Sequence, residues 1–418
     1  MARLRRFALV AIAAGACKGG DSSSSPSPSP APATAPIADA AVAMIAPDAA
    51  PPPAHPTETL ASPNGHDFIA EARALFRIAA CGDGDLPKGA DPAIVDKNCA
   101  QIRAIQATYR DHWLVRASQW FAAHVPKDVP KKVVYPFAGG DLSTALTVYP
   151  DADEITTISL EPAGDARSVD DLTGNELSRA LDEQRKELKF LYTVDFSNTM
   201  NLIDSMREGR LPGQLVFSLN ALRVHGLEPV ALYYFHVEPD GSLRYVTDDD
   251  VAHAGDPRTV QSQDRNSHFS NMELRFRTPG ETRVRVYRHI RWNLDDDHLK
   301  DGRLIEHLAA KGQVAGMTKA ASYLLSWPTF STMRRYLLEH VVWMVSDATG
   351  IPPDVAAPAG FKQETYGMFD GPHIPAGNSA KKAWIDLFKS APVRELPFRF
   401  GYPDNHKHRH LVITYKTA

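Results

Sequence analysis

Between Phe68 and Ala80 the apolar residues Phe68, Ile69, Ala72, Leu75, Phe76 and Ala79 recur at helical spacing. Ala100 to His124 repeats the pattern with Ile102, Ile105, Tyr109, Trp113, Val115, Trp120 and Phe121. These two stretches predict a helical cap over residues 61–127. The texture then changes. Lys132 to Phe137 is a short apolar run that reads as a buried strand, and it ends in Ala138-Gly139-Gly140-Asp141. A helix over Leu142 to Tyr149 and a second strand, Ile155 to Leu160, follow, with Glu161-Pro162 at its end. Helices are predicted at Asn175–Leu191, Ser197–Glu208 and Gly213–His225, the last stopped by Gly226.

Val230 to Val237 and Leu243 to Thr247 read as strands around the turn Pro239-Asp240-Gly241-Ser242, and a polar loop runs from Asp248 to His268. Met272 to Arg277 and Val284 to Trp292 alternate, which predicts a strand pair with Arg275, Arg277, Arg283, Arg285 and Arg288 on a solvated face. Asp295-Asp-Asp297-His298 predicts a helix start. Lys319 to Tyr323 leads into another helix, and Phe330 to Val345, apolar on most faces, predicts a buried one. A short amphipathic helix is expected around Trp384 to Phe388, and a hairpin of Leu396–Tyr402 with Leu411–Lys416 closes the chain. The fold class expected for residues 128–418 is mixed α/β: a Rossmann-like first half, an antiparallel extension and the helical N-terminal cap.

The N-terminus follows none of these periods. Arg3, Arg5 and Arg6 precede the apolar stretch Phe7 to Ala14, and Gly15-Ala16 leads to Cys17. A basic head, an apolar middle and small residues at the exit describe a signal peptide over 1–16. The small residues before Cys17 resemble a bacterial lipobox, in which the cysteine takes a diacylglycerol and its amine an acyl chain. Two or three chains give a stable membrane anchor where one does not. Lys18, with no aspartate beside it, favours the outer membrane within that resemblance. Of the 32 prolines, ten lie between Pro26 and Pro56 among serines and alanines, so 17–60 reads as a lipid-anchor cysteine followed by a disordered linker.

Composition narrows the function classes. The 418 residues are 43% hydrophobic and 23% charged with net charge −4, which gives no basic excess for nucleic acid. Removing residues 1–16 takes away three arginines and no acids, moving the charge to −7. The membrane, through the anchor, is the one partner the sequence indicates; no particular protein or small molecule is indicated. Cys81 and Cys99 flank a Gly/Asp/Pro-containing loop, and an oxidising periplasm favours a disulfide between them over two free thiols.

The strand, Gly-Gly-Asp turn, helix, strand and acid resemble the first half of a Rossmann-like nucleotide or S-adenosylmethionine site. There Gly139 and Gly140 are the candidate phosphate or ligand turn and Glu161 the candidate ribose acid; the bland alternative is a tight turn with Asp141 capping a helix. Asp141, Glu161, Lys319, Tyr323 and Asp347 all fall at element ends and form the candidate pocket, with Lys319 and Tyr323 at i,i+4 spacing. His406, His408 and His410 alternate and are a weak candidate for zinc or copper. No Gly-x-Ser-x-Gly, Ser-x-x-Lys or His-Glu-x-x-His motif occurs, so a hydrolase is not indicated.

Tyr135-Pro-Phe-Ala-Gly-Gly-Asp141, Ile158-Ser-Leu-Glu-Pro162, Lys319-Ala-Ala-Ser-Tyr-Leu324 and Asp347-Ala-Thr-Gly-Ile-Pro352, in that order, resemble a family of uncharacterised bacterial envelope proteins, often lipoproteins. The resemblance covers roughly 130–416 and implies an envelope location without an activity or a known cofactor. The expectation is therefore an envelope lipoprotein that binds a ligand or serves the envelope, rather than an enzyme. Its competitors are a Rossmann-like S-adenosylmethionine-dependent transferase, or a degenerate relative of one, and a periplasmic metal binder.

Overall fold

The computed structural model describes residues 60–194, 211–257, 267–371, 378, 380–402, 406–407 and 409–416. Cys17, the linker, the helix expected over Ser197–Glu208 and His408 lie outside them. Pro56–Ala418 form one compact unit.

Ten strands make one sheet: β1 (Lys132–Pro136), β2 (Glu154–Ser159), β3 (Glu228–Val237), β4 (Leu243–Tyr245), β5 (Asn271–Arg277), β6 (Arg285–Arg291), β7 (Val314–Thr318), β8 (Val341–Ser346), β9 (Phe361–Gly367) and β10 (His410–Lys416). Their order is β4-β3-β5-β6-β2-β1-β7-β8-β10-β9. The five central strands β6-β2-β1-β7-β8 are parallel, and antiparallel strands extend both sides. Counted along the chain, the parallel strands take the order 3-2-1-4-5 of a doubly wound sheet, which places the reversal between β1 and β7.

Helices cover both faces. One face carries α1 (Ile69–Ile78), α2 (Pro92–Tyr109), α3 (Val115–His124), α4 (Leu142–Val148), α5 (Gly174–Val194) and α6 (Gly213–Val224). Residues of these helices share a continuous core with Val133, Tyr135, Ile155, Tyr287 and Met317 of the strands. The 61–127 helices are therefore one layer of the sandwich. Cys81 and Cys99 join the start of that layer in a disulfide with Cα atoms 5.3 Å apart. After the small α7 (Asp248–His253), α8 (Arg303–Ala309), α9 (Ser331–His340) and α10 (Pro353–Ala356) follow, and α11 (Ala380–Ser390) closes the set. The opposite face is packed by Leu304, Leu308, Met333 and Leu337 against Val134, Ile158, Ile290 and Met344. Neighbouring strand residues thus serve opposite cores, as the period-two geometry of a strand requires.

Several expectations are corrected. The run Phe330 to Val345 is a helix and then a strand: α9 ends at His340 and β8 begins at Val341 with no residue between. Leu396–Tyr402 makes only an isolated bridge, Phe400 to Arg409, and the partners of β10 are β8 and β9. Asp295–His298 forms a turn in which Asp295 Oδ1 accepts from the His298 N–H at 2.9 Å, and the helix starts at Arg303.

The arginine face is not solvated, because β6 lies inside the sheet. Arg275 and Arg285 are buried. Arg275 and Arg288 hold Glu273 at 2.8 and 2.9 Å, and Glu154 takes Arg288 and Lys311. Burial alone would raise the Glu154 pKa, yet the two cations bring it down to about 2.

Candidate functional site at the carboxyl ends of the parallel strands

In an open α/β sheet the crevice at the strand reversal is the default ligand site. Here β1 and β7 flank it. Each leaves the sheet through a non-glycine residue in the left-handed region, Phe137 at φ 60° and Ala320 at φ 59°. Such conformations cost about 1–3 kcal/mol each and mark segments fixed by their surroundings.

Those surroundings are polar and closed. Asp141 caps α4: its Oδ1 accepts from the Thr144 N–H at 3.3 Å and the Thr144 hydroxyl at 2.6 Å. Its Oδ2 accepts from the Tyr135 hydroxyl at 3.1 Å and meets Lys319 Nζ at 2.6 Å. The Lys319 and Asp141 side chains are only 1% and 5% exposed. Lys319 also donates to Thr144 Oγ1 at 3.2 Å and lies 5.5 Å from the Phe400 ring centre. Tyr192 stands nearby; burial first, and then the Asp141 charge, raise its pKa.

The Gly-Gly turn faces the chain's own α6. Gln214 donates to the Gly139 carbonyl, and a Cβ placed on Gly140 would stand 3.5 Å from Phe217. Only Gly139, at φ 54°, needs glycine's backbone freedom.

Asp347, after β8, ties two loops together. Its Oδ2 accepts from the Ala320 N–H at 2.9 Å and its Oδ1 from the Thr349 N–H at 3.0 Å. Ser322 and Thr349 share a 2.6 Å hydroxyl contact. Lys319 and Tyr323 do not share a helix face. Lys319 is extended at φ −154°, ψ 151°, and the turn that follows, Ala320–Ser326, is a 3-10 helix. Tyr323 faces Tyr402, whose pKa burial raises to about 12 with help from Tyr323 and Asp347.

No family model, no curated protein and no solved structure matches the chain. The argument about the site rests on its geometry.

Glu161 stands apart from this group. It follows β2, is wholly buried, and has no hydrogen-bond partner on either carboxyl oxygen. His289 of β6 donates from Nε2 to the Glu161 carbonyl at 2.7 Å. Burial brings the His289 pKa down to about 4, so the ring is neutral and its tautomer is fixed by that bond.

The histidine candidate separates. His410 is buried; its Nδ1 accepts from the Ala348 N–H at 3.2 Å and its Nε2 donates to the Tyr402 carbonyl at 3.0 Å, so neither nitrogen is left for a metal. His406 faces Asp370 at 3.5 Å. Among the described residues no group of three or more His, Cys, Asp or Glu is placed to hold a metal ion, and no helix is long and apolar enough to cross a membrane.

The pocket residues thus divide into a buried pair (Asp141, Lys319), a loop tie (Asp347 beneath Ala320) and an isolated acid (Glu161). Sequence reasoning missed Thr144, Tyr192, Gln214, His289 and Phe400. The alternation Tyr287-Arg-His289 within a predicted strand places Tyr287 and His289 on one face and gave a signal for His289. Gln214 and Phe400 reach the site only through tertiary packing.

Proposed function

We propose that the protein is a bacterial envelope lipoprotein, anchored through Cys17, whose folded unit is a Rossmann-like scaffold with a closed strand-reversal crevice. It works by binding at its surface rather than by S-adenosylmethionine chemistry. The Asp141–Lys319 pair carries this reading: a lysine and an aspartate, both almost fully buried, occupy the place where such sheets hold their ligand. The cover of Gln214 and Phe217 over the Gly-Gly turn supports it. The basic, apolar and small-residue order before Cys17, the proline-rich spacer and the Cys81–Cys99 disulfide support an exported location.

Two measurements test it. Mass spectrometry of protein purified from its native membrane should give a chain that begins at Cys17 and carries acyl groups; an uncut, unacylated chain contradicts the anchor. Thermal unfolding with S-adenosylmethionine, S-adenosylhomocysteine, NAD or ATP should leave the midpoint unchanged. A ligand at 100 times its dissociation constant would stabilise by about 2.7 kcal/mol, so saturable binding would be visible.

A second reading, a binder of a ribose-bearing cofactor, is favoured by the 3-2-1-4-5 strand order with an acid after the second strand. A saturable rise with any of the four nucleotides would select it.

A further inference from the structure

The interior beside α6 holds acceptors without donors. Neither carboxyl oxygen of Glu161 has a partner, and the side-chain oxygen of Gln214 has none either; both residues are 0% exposed. The two belong to one packing unit. His289 donates to the Glu161 carbonyl, and its Nδ1 lies 3.4 Å from Gln214 Nε2 and 3.3 Å from Thr157 Oγ1. Leu215, next to Gln214, donates its N–H to the Ala163 carbonyl at 3.1 Å. Tyr287, 2.8 Å from Thr157 through its hydroxyl, lies close to both side chains: Gln214 is within its hydrogen-bonding reach, and the Glu161 charge adds to burial in holding its proton on.

The nearby donors are already committed. Gln214 gives its Nε2 to the Gly139 carbonyl, and the neutral His289 gives its one N–H to the Glu161 carbonyl. Space remains beside the unpaired amide oxygen. A Cβ on Gly140 would stand 3.6 Å from Gln214 Oε1, an ordinary contact, so the missing methyl leaves room of about that size. Gly140 is not in the left-handed region, so its backbone does not require glycine.

We propose that this cluster binds one small monovalent cation, held by the Glu161 carboxylate and the Gln214 side-chain oxygen. Charge sets the valence. One carboxylate balances one positive charge, whereas a divalent ion would leave a net charge in the interior, which is costly. Oxygen acceptors select a hard ion or an ammonium group. An inorganic ion and the protonated amine of a small molecule share that chemistry. The site uses none of the residues of the Asp141–Lys319 pair, so it stands or falls separately from the closed crevice.

The test compares thermal unfolding in potassium, sodium, methylammonium and tetramethylammonium chloride at one ionic strength. The last ion is bulky and has no N–H, and it serves as the reference. The midpoint should rise by a few degrees, saturably, in at least one of the first three. A rise with potassium or sodium identifies an inorganic ion; a rise with methylammonium alone identifies an amine. Glu161→Gln and Gly140→Ala should each abolish the dependence. A wild-type midpoint indifferent to the cation overturns the proposal. So does a dependence that survives in E161Q, or an E161Q protein more stable than wild type in every salt. Should the variants not fold, rubidium soaked into wild-type crystals provides the second measurement: its anomalous peak is expected beside Glu161, and a peak only elsewhere overturns the assignment.

Discussion

His225, His289 and His307 sit where a proton is costly. Burial is the first cause in each, and each pKa is brought down to about 4. Arg285, Arg291 and Lys311 respectively add to the effect. In the unfolded chain the same imidazoles titrate near pH ~6.5. Between that value and about 4 the unfolded state holds more protons, so the stability from these neutral rings is full above pH ~6.5 and is lost as pH falls through the window. Urea unfolding at about pH 7 and about pH 5 should show lower stability at the acid point, with proton uptake on unfolding. His289→Gln should remove about one proton from that uptake. Stability unchanged between the two conditions would contradict the assignment. At this scale much was legible. Asp141, Glu161, Lys319 and Asp347 could be named because they stand at element ends. Which acid pairs with the lysine could not, because β7 had not been recognised and the approach of its end to β1 is a tertiary fact.

The elements that escaped the sequence pattern are β7, β8 and β9. β7 reads Val314-Ala-Gly-Met-Thr318, all buried, and β8 is nearly so. A parallel strand buried on both faces has no polar alternation, so β8 merged with the apolar side of α9, with no breaker between them. β9, Phe361–Gly367, is a polar edge strand whose pattern is too weak to stand out. Strands β1 and β2, bounded by Gly-Gly-Asp and Glu-Pro, carried their own punctuation. The disulfide belongs to this scale as well. It ties α2, through Cys99, to the end of α1 across a separation of 18 residues. In the chain-entropy account a loop of that size contributes about 3 kcal/mol. Denaturation with and without a reductant should differ by about that amount. Equal midpoints would show that the helical layer stands without the bridge.

At the scale of the molecule, the doubly wound core is embedded in antiparallel strands on both sides, and the strand reversal is closed from within. Between β2 and β6 the chain supplies β3, β4 and β5, which extend the sheet, and α6, which covers the Gly-Gly turn. That insertion explains why a Rossmann-like motif was legible and its closure was not: the covering residues lie about 75 positions from the turn they cover. The closed crevice is the central claim, and a double-mutant cycle on Asp141 and Lys319 tests it most directly. Removing one partner of a buried pair leaves an uncompensated charge and costs about 3–5 kcal/mol. Asp141→Asn and Lys319→Met should each lose about that much stability, and the double variant should recover a large part of it. Single variants as stable as wild type, or more stable, would contradict the account, since that behaviour belongs to groups kept for a ligand rather than for the fold.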